Sequence, residues 1–194
     1  HSNLGIILKD LGRLEEAELS TRKAIELKPD YADAHSNLGT ILKDLGKLKE
    51  AEASLRQAIE LRSDYAEAHC NLGNILKDLG KLREAEISQR KAIELKPDFV
   101  EAYCNLGLIL NDLGQLQEAE TSHRKAIQLN PKFANAHSNL GSTLKDLGRL
   151  EEAESCHRKA IELNPDLAEA YCNLGNVYID QGKSEEAEAF HCKA

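Results

Sequence analysis

Apolar residues recur along the 194-residue chain at three- and four-residue steps, in short runs separated by glycine or proline. Ala34, Leu38, Ile41, Leu42 and Leu45 fall on one face of a helix, and Gly46 follows as a C-terminal stop. Leu48, Ala51, Leu55, Ala58, Ile59 and Leu61 mark a second amphipathic helix. Each helix is about 14 residues, or roughly 21 Å, too short a pair to bury its apolar face alone. The pattern returns every 34 residues. Gly5, Gly39, Gly73, Gly107, Gly141 and Gly175 form one register, and Gly12, Gly46, Gly80, Gly114, Gly148 and Gly182 another. Pro29, Pro97, Pro131 and Pro165 share a third, with Ser63 in the remaining slot. A fixed period of this length marks stacked repeats, each touching only its neighbours. The pattern therefore predicts an all-α solenoid of antiparallel helix pairs forming a single array over 1–194. Full units would span 32–65, 66–99, 100–133 and 134–167, with partial ones at 1–31 and 168–194.

Local signals refine the unit. Asp30 and Asp64 precede the first helices and are followed three residues on by Asp33 and Glu67, which predicts a capping box beside the positive end of the helix dipole. Glu50 and Glu52 near the start of the second helix and Arg62 near its end suit the same dipole. Gly39 lies inside a helix, where glycine costs about 1 kcal/mol against alanine. Its recurrence predicts a neighbouring helix passing too close for a side chain. Ala17, Ala51, Ala85, Ala119, Ala153 and Ala187 predict the same of the second helix.

Asn-Leu-Gly at 37–39, Gly46 between helices, Glu50-Ala51 after it, Ala58 in the second helix and the proline column together resemble the tetratricopeptide repeat. The resemblance covers the whole chain. It implies a right-handed superhelix whose first helices line a concave groove through unit positions 2, 5, 6, 9, 12 and 13, counting Ala32 as position 1. It also implies an interaction module for proteins or peptides. Two columns depart from the family pattern. His1, His35, His69, Tyr103, His137 and Tyr171 stand where the family often has tryptophan, and position 24 reads Thr21, Leu55, Gln89, His123, His157 and His191 where a large apolar residue is usual.

Position 6 is the most informative groove column: Asn3, Asn37, Asn71, Asn105, Asn139 and Asn173. Asparagine has no helix-propensity reason to recur in a helix interior. Its amide offers two donors and an acceptor and can pair with both polar groups of a peptide unit. Stacked helices step by roughly 10 Å, a distance an extended peptide covers in about three residues. An Asn ladder holding the main chain of an extended partner fits this geometry. Amides bonded to the adjacent helix and setting the repeat packing fit it as well. The column also resembles the superhelical repeats of O-linked N-acetylglucosamine transferases, which carry an acid at position 2. Here position 2 reads Asp33, Glu67, Glu101, Asn135 and Glu169, four residues before each Asn and on the same helix face. The same acids could instead serve the helix caps.

The remaining groove columns are mixed. Position 9 varies and contributes Asn74 as a candidate contact. Position 12 carries Lys9, Lys43, Lys77 and Lys145, then Asn111 and Ile179, with Lys43 and Lys77 as further candidates. Position 13 is aspartate throughout, and pairs such as Asp44 with Lys47, three residues on, predict a solvated ion-pair lattice. The carboxylate clamp known in co-chaperone repeats is excluded, because position 2 is acidic or Asn and position 6 is never Arg.

Composition narrows the function. Net charge is −8, with basic residues spread over every repeat rather than clustered as a nucleic-acid face would be. No apolar run is long enough to span a membrane. Five cysteines, three of them (Cys70, Cys104, Cys172) in one register, suit reduced thiols and a cytoplasmic setting better than a disulfide framework. The absence of methionine suggests an excerpt of a longer protein. His123, His157 and His191 come one per repeat, so neither a catalytic set nor a metal or cofactor site is expected. Three functions fit: a scaffold for an extended polypeptide, the substrate-recruiting arm of a larger glycosyltransferase-like enzyme, and a self-associating module.

Overall fold

The computed structural model describes residues 2–191, and all regular structure among them is helical. In chain order the helices are α1 (Ser2–Asp10), α2 (Leu14–Leu27), α3 (Ala32–Asp44), α4 (Leu48–Leu61), α5 (Ala66–Asp78) and α6 (Leu82–Leu95). They continue as α7 (Val100–Asp112), α8 (Leu116–Leu129), α9 (Ala134–Asp146), α10 (Leu150–Leu163), α11 (Ala168–Asp180) and α12 (Ser184–His191). Packing divides the chain into two compact units, His1–Pro97 and Asp98–Ala194. Each contains three helix pairs.

In the first unit α1 packs on α2, α3 on α4 and α5 on α6, and α2 and α4 also pack on the first helices that follow them, α3 and α5. The first helices pack closely on one another, α1 with α3 and α3 with α5, whereas second helices are linked at their exposed sides by ion pairs such as Arg22 with Glu50 and Arg56 with Glu84, both at 2.8 Å. The second unit repeats this with α7, α9 and α11 as the mutually touching first helices. Within each unit the first helices thus form one continuous face.

Every turn inside a pair is made by glycine. Gly46 has φ +73°, and the N–H groups of Gly46 and Lys47 reach back to the carbonyls of Lys43 and Leu42 at 2.9 and 2.8 Å. This is a Schellman closure of the helix end. A Cβ at Gly46 would meet nothing within 4 Å, so only backbone strain opposes a side chain there. Gly46→Ala is therefore expected to cost about 1–2 kcal/mol, read as a lower urea midpoint.

The N-termini differ from the expected capping box. The N-cap residues of α3 and α5 are Tyr31 and Tyr65, and neither end has a side-chain cap. The helices begin at Ala32 and Ala66, which leaves Asp30 and Asp64 one residue too early to cap them. At α3 the Tyr31 carbonyl takes the N–H groups of Ala34 and His35 at 3.0 and 3.2 Å, tightening the first turn through the backbone itself.

The crossing of each helix pair is set by the glycines inside the first helices. A Cβ on Gly39 would lie 2.6 Å from Leu55 Cγ, one on Gly73 2.6 Å from Gln89 Nε2, and one on Gly141 2.6 Å from His157 Nε2. The His123 ring covers Gly107 in the same way. The variable position-24 column is thus the partner of the glycine column, and Thr21, Leu55, Gln89, His123 and His157 are all fully buried. The side chain of His191 lies outside the described residues. Ala17, Ala51, Ala85, Ala119 and Ala153 are also fully buried.

Candidate first-helix face

The position-6 asparagines Asn37, Asn71, Asn105, Asn139 and Asn173 are half-buried on the first-helix face. The Asn3 side chain lies outside the described residues. Two of these amides reach back to the preceding first helix: Asn139 Nδ2 donates to Cys104 Sγ at 3.1 Å and Asn173 Nδ2 to Ser142 Oγ at 3.3 Å. Asn37 and Asn105 are engaged as well, while Asn71 has no hydrogen-bond partner among the described residues. Asn74 accepts from Gln89 Nε2 at 3.0 Å, and the same nitrogen donates to the Cys70 carbonyl at 3.0 Å. Gln89 is a tie that sequence reasoning missed. Its register held an amide where the family has an apolar residue, and that was the available signal.

Position 5 behaves differently from the groove role that the resemblance implied. Ser36, Cys70, Cys104 and Ser138 are buried, and only Cys172 is exposed. The position lies toward the partner helix, where small side chains fit. Burial pushes the Cys104 thiol up to about 11, and Cys70, Cys104, Cys156 and Cys172 are all free thiols.

The position-2 acids pair across their own repeat instead of capping. Asp33 accepts from Arg62 Nη2 at 2.7 Å, and the Arg62 guanidinium lies 3.4 Å from the Tyr65 ring centre. Glu67 pairs with Lys96 at 3.3 Å. Glu101 and Glu169 are exposed and have no cationic partner among the described residues.

The ion-pair lattice exists, but Asp44, Asp78 and Asp180 pair with a lysine of the preceding repeat rather than with the residue three positions on. Lys9 pairs with Asp44 at 3.3 Å, Lys43 with Asp78 at 3.7 Å and Lys145 with Asp180 at 3.7 Å. Lys47 turns away from Asp44 and binds Glu18 at 2.7 Å; Lys81 meets Glu52 at 2.9 Å and Arg149 meets Glu120 at 2.8 Å. The reason lies in the glycine turn. Lys47 is the N-cap of α4, outside the helix that carries Asp44, so helical neighbour geometry does not apply. The hydrogen bond from Lys47 holds the Glu18 carboxyl below the usual carboxylate range, and Lys81 does the same for Glu52. Lys77 is also engaged.

Away from this face, the first unit has two equivalent clefts, of about 390 and 350 Å³. Arg22, Ile25, His35 and Leu38 line one, and Arg56, Ile59, His69 and Leu72 line the other, one repeat apart. Among the described residues no group of three His, Cys, Asp or Glu side chains could hold a metal ion, and no helix is long and apolar enough to cross a membrane.

Stacked helix pairs with a glycine turn and a glycine crossing in each define a repeat scaffold. The chain belongs to the tetratricopeptide repeat family. Profiles described as Tetratricopeptide repeat match residues 66–99, 100–133 and 132–194, and one described as TPR repeat matches 5–46 and 39–80. In sequence, no curated protein matches the chain. Among solved structures it is similar to YrrB, described as a TPR protein with an unusual peptide-binding site, at 28% identity and TM-score 0.68 over 89% of each chain. It is also similar to MamA, at 26% identity and TM-score 0.69 over 80% of this chain and 91% of the other. PilW, a type IV pilus biogenesis factor, shares the fold with TM-score 0.91 at 22% identity over 99% of this chain and 89% of its own.

Proposed function

We propose that this chain is a non-catalytic interaction scaffold that holds an extended polypeptide against its first-helix face through the Asn column, in the cytoplasm. The observation that carries the reading is a half-buried amide at one register, at Asn37, Asn71, Asn105, Asn139 and Asn173. An Asn side chain has two N–H groups and a carbonyl oxygen, so a single bond from Nδ2, as in Asn139 and Asn173, leaves an N–H and the oxygen for a peptide unit. The peptide-binding site ascribed to YrrB supports the same use of the fold. In this reading Asp33, Glu67, Lys43 and Lys77 act within the face's ion-pair network.

The test uses an array of unstructured 12-residue peptides to select the tightest binder. Asn71→Ala, Asn105→Ala and Asn139→Ala together are expected to weaken that binder at least about tenfold, since each lost hydrogen bond is worth roughly 0.5–1.5 kcal/mol. Thermal stability should remain nearly intact. Unchanged affinity in the triple variant would defeat the proposal.

The acid four residues before Asn37, Asn71, Asn105 and Asn173 favours a second reading, the recruiting arm of a larger glycosyltransferase-like enzyme. A nucleotide-sugar domain encoded beyond residue 194 of the parent gene would support it; its absence there would sink it. Self-association is the third reading. It would cover Leu4, Ile7 and Leu11 on and beside α1, which are 48%, 56% and 66% exposed. Light scattering across concentration decides it, since a persistent monomer excludes self-association.

A further inference from the structure

The two units differ in how their first-helix faces are neutralised. Columns 2, 12, 13 and 31 supply the ion pairs of this face. In the first unit they hold six cations (Lys9, Lys28, Lys43, Arg62, Lys77 and Lys96) and five acids (Asp10, Asp33, Asp44, Glu67 and Asp78). The second unit keeps five acids in those columns (Glu101, Asp112, Asp146, Glu169 and Asp180) but a single cation, Lys145. Column 31 explains much of the difference. Arg62 and Lys96 neutralise Asp33 and Glu67 in the first unit, each 29 residues earlier, whereas in the second Asn130 stands at that spacing from Glu101 and Asn164 from Asn135. Asn111 likewise replaces the column-12 lysine and bonds instead to Thr143, at 2.9 Å. Lys145 is shared between Asp146 at 3.8 Å and Asp180 at 3.7 Å. Glu101 and Glu169 both act on the Cys104 thiol, which places them around one stretch of the face.

From this difference we infer that the first-helix face of the second unit takes a basic extended segment, with lysine or arginine side chains meeting Glu101 and Glu169 while the main chain lies on Asn105, Asn139 and Asn173. The inference rests on the Asn-column reading and adds a partner class to it. Complementary charge at exposed positions mainly steers association and excludes wrong partners, and salt screens it. In the first unit the corresponding acids, Asp33 and Glu67, are already paired with Arg62 and Lys96 and offer no such preference.

Three fluorescein-labelled peptides, built from four Lys-Gly-Ser, Gln-Gly-Ser or Glu-Gly-Ser triplets, test this by anisotropy against the full chain at low salt. The lysine peptide is expected to bind about tenfold or more tighter than the glutamine peptide. Asn130→Lys, which sets a lysine 29 residues after Glu101 as Lys96 follows Glu67, should weaken the lysine peptide by about threefold to fivefold and leave the glutamine peptide unchanged. A variant of equal charge on the exposed side of α8, Gln117→Lys, should leave the lysine peptide's affinity nearly unchanged. Equal affinity for the three peptides overturns the inference, as does an α8 variant that weakens binding as much as the column-31 variant. Asn105→Ala with Asn139→Ala separates the two readings. If it abolishes binding while all three peptides bind alike, the ladder stands and the basic preference falls. If it changes nothing while the lysine preference and its column-31 dependence hold, the ladder falls and the charge reading stands.

Discussion

Gly39→Ala is expected to destabilise the first unit by about 2 kcal/mol, although alanine is the better helix former by about 1 kcal/mol. The added Cβ would sit 2.6 Å from Leu55 Cγ and 3.2 Å from both of its methyl carbons. Leu55 is fully buried, and the contact falls on the branch point of its side chain rather than on a flexible end. Neither residue can yield without moving a helix. Overpacking of this kind costs about 1–3 kcal/mol and sometimes more, and here it outweighs the propensity gain. Leu55→Ala alone should cost about 2–5 kcal/mol by opening a cavity. In the double variant the new methyl at position 39 enters the space that Leu55 vacates. The two costs should therefore fall short of their sum by at least about 1 kcal/mol. Urea unfolding followed by circular dichroism measures all three. Strict additivity would mean that the glycine column does not set the helix crossing.

The same pair of columns shows how far the amino-acid sequence carried. Periodicity of 34, the glycine turns and the close approach at Gly39 were legible because each is a property of one helix or one turn. The partner of Gly39 was not. Position 24 read as an irregular column of Thr, Leu, Gln and His until the fold placed each member over a glycine. The Lys47 pairing was misread for a related reason. Spacing of three implies contact only inside one helix, and Gly46 ends that helix before Lys47. The cap of α3 failed through a boundary shift of one residue, which a backbone carbonyl absorbed. For the face itself, the sequence located the Asn register but not the direction of each amide. That depends on whether the neighbouring first helix presents a thiol, as Cys104 does, or a hydroxyl, as Ser142 does.

Mild acid is expected to unfold the second unit before the first. His123 and His157 lie in that unit, fully buried, and neither ring nitrogen of either has a hydrogen-bond partner. Burial holds both imidazoles down to about 4, with the nearby Lys145 charge adding to the effect at His157. In the unfolded chain each would titrate near 6.5. The folded state thus resists a proton that the unfolded state accepts, so its stability is full above about pH 6.5 and falls as pH drops toward 4. At pH 5 the loss is about 2 kcal/mol for each imidazole, roughly 4 in all, a large part of a small domain's stability. This window lies above that of the lowered carboxyls such as Glu18 and Glu52, whose contribution fades only below about pH 4.5. In the first unit the same column holds Thr21, Leu55 and Gln89, none of which titrates. Hydrogen exchange at pH 7 and pH 5 should show protection lost in helices α8 to α10 while α3 to α5 keep theirs. His123→Leu with His157→Leu, which copies Leu55 over Gly39, should flatten the acid response. It should also raise stability at neutral pH by about 1 kcal/mol or more, since buried donors and acceptors without partners are removed. Equal loss of protection in both units, or an unchanged acid response in the double variant, would show that these two buried rings do not govern the transition.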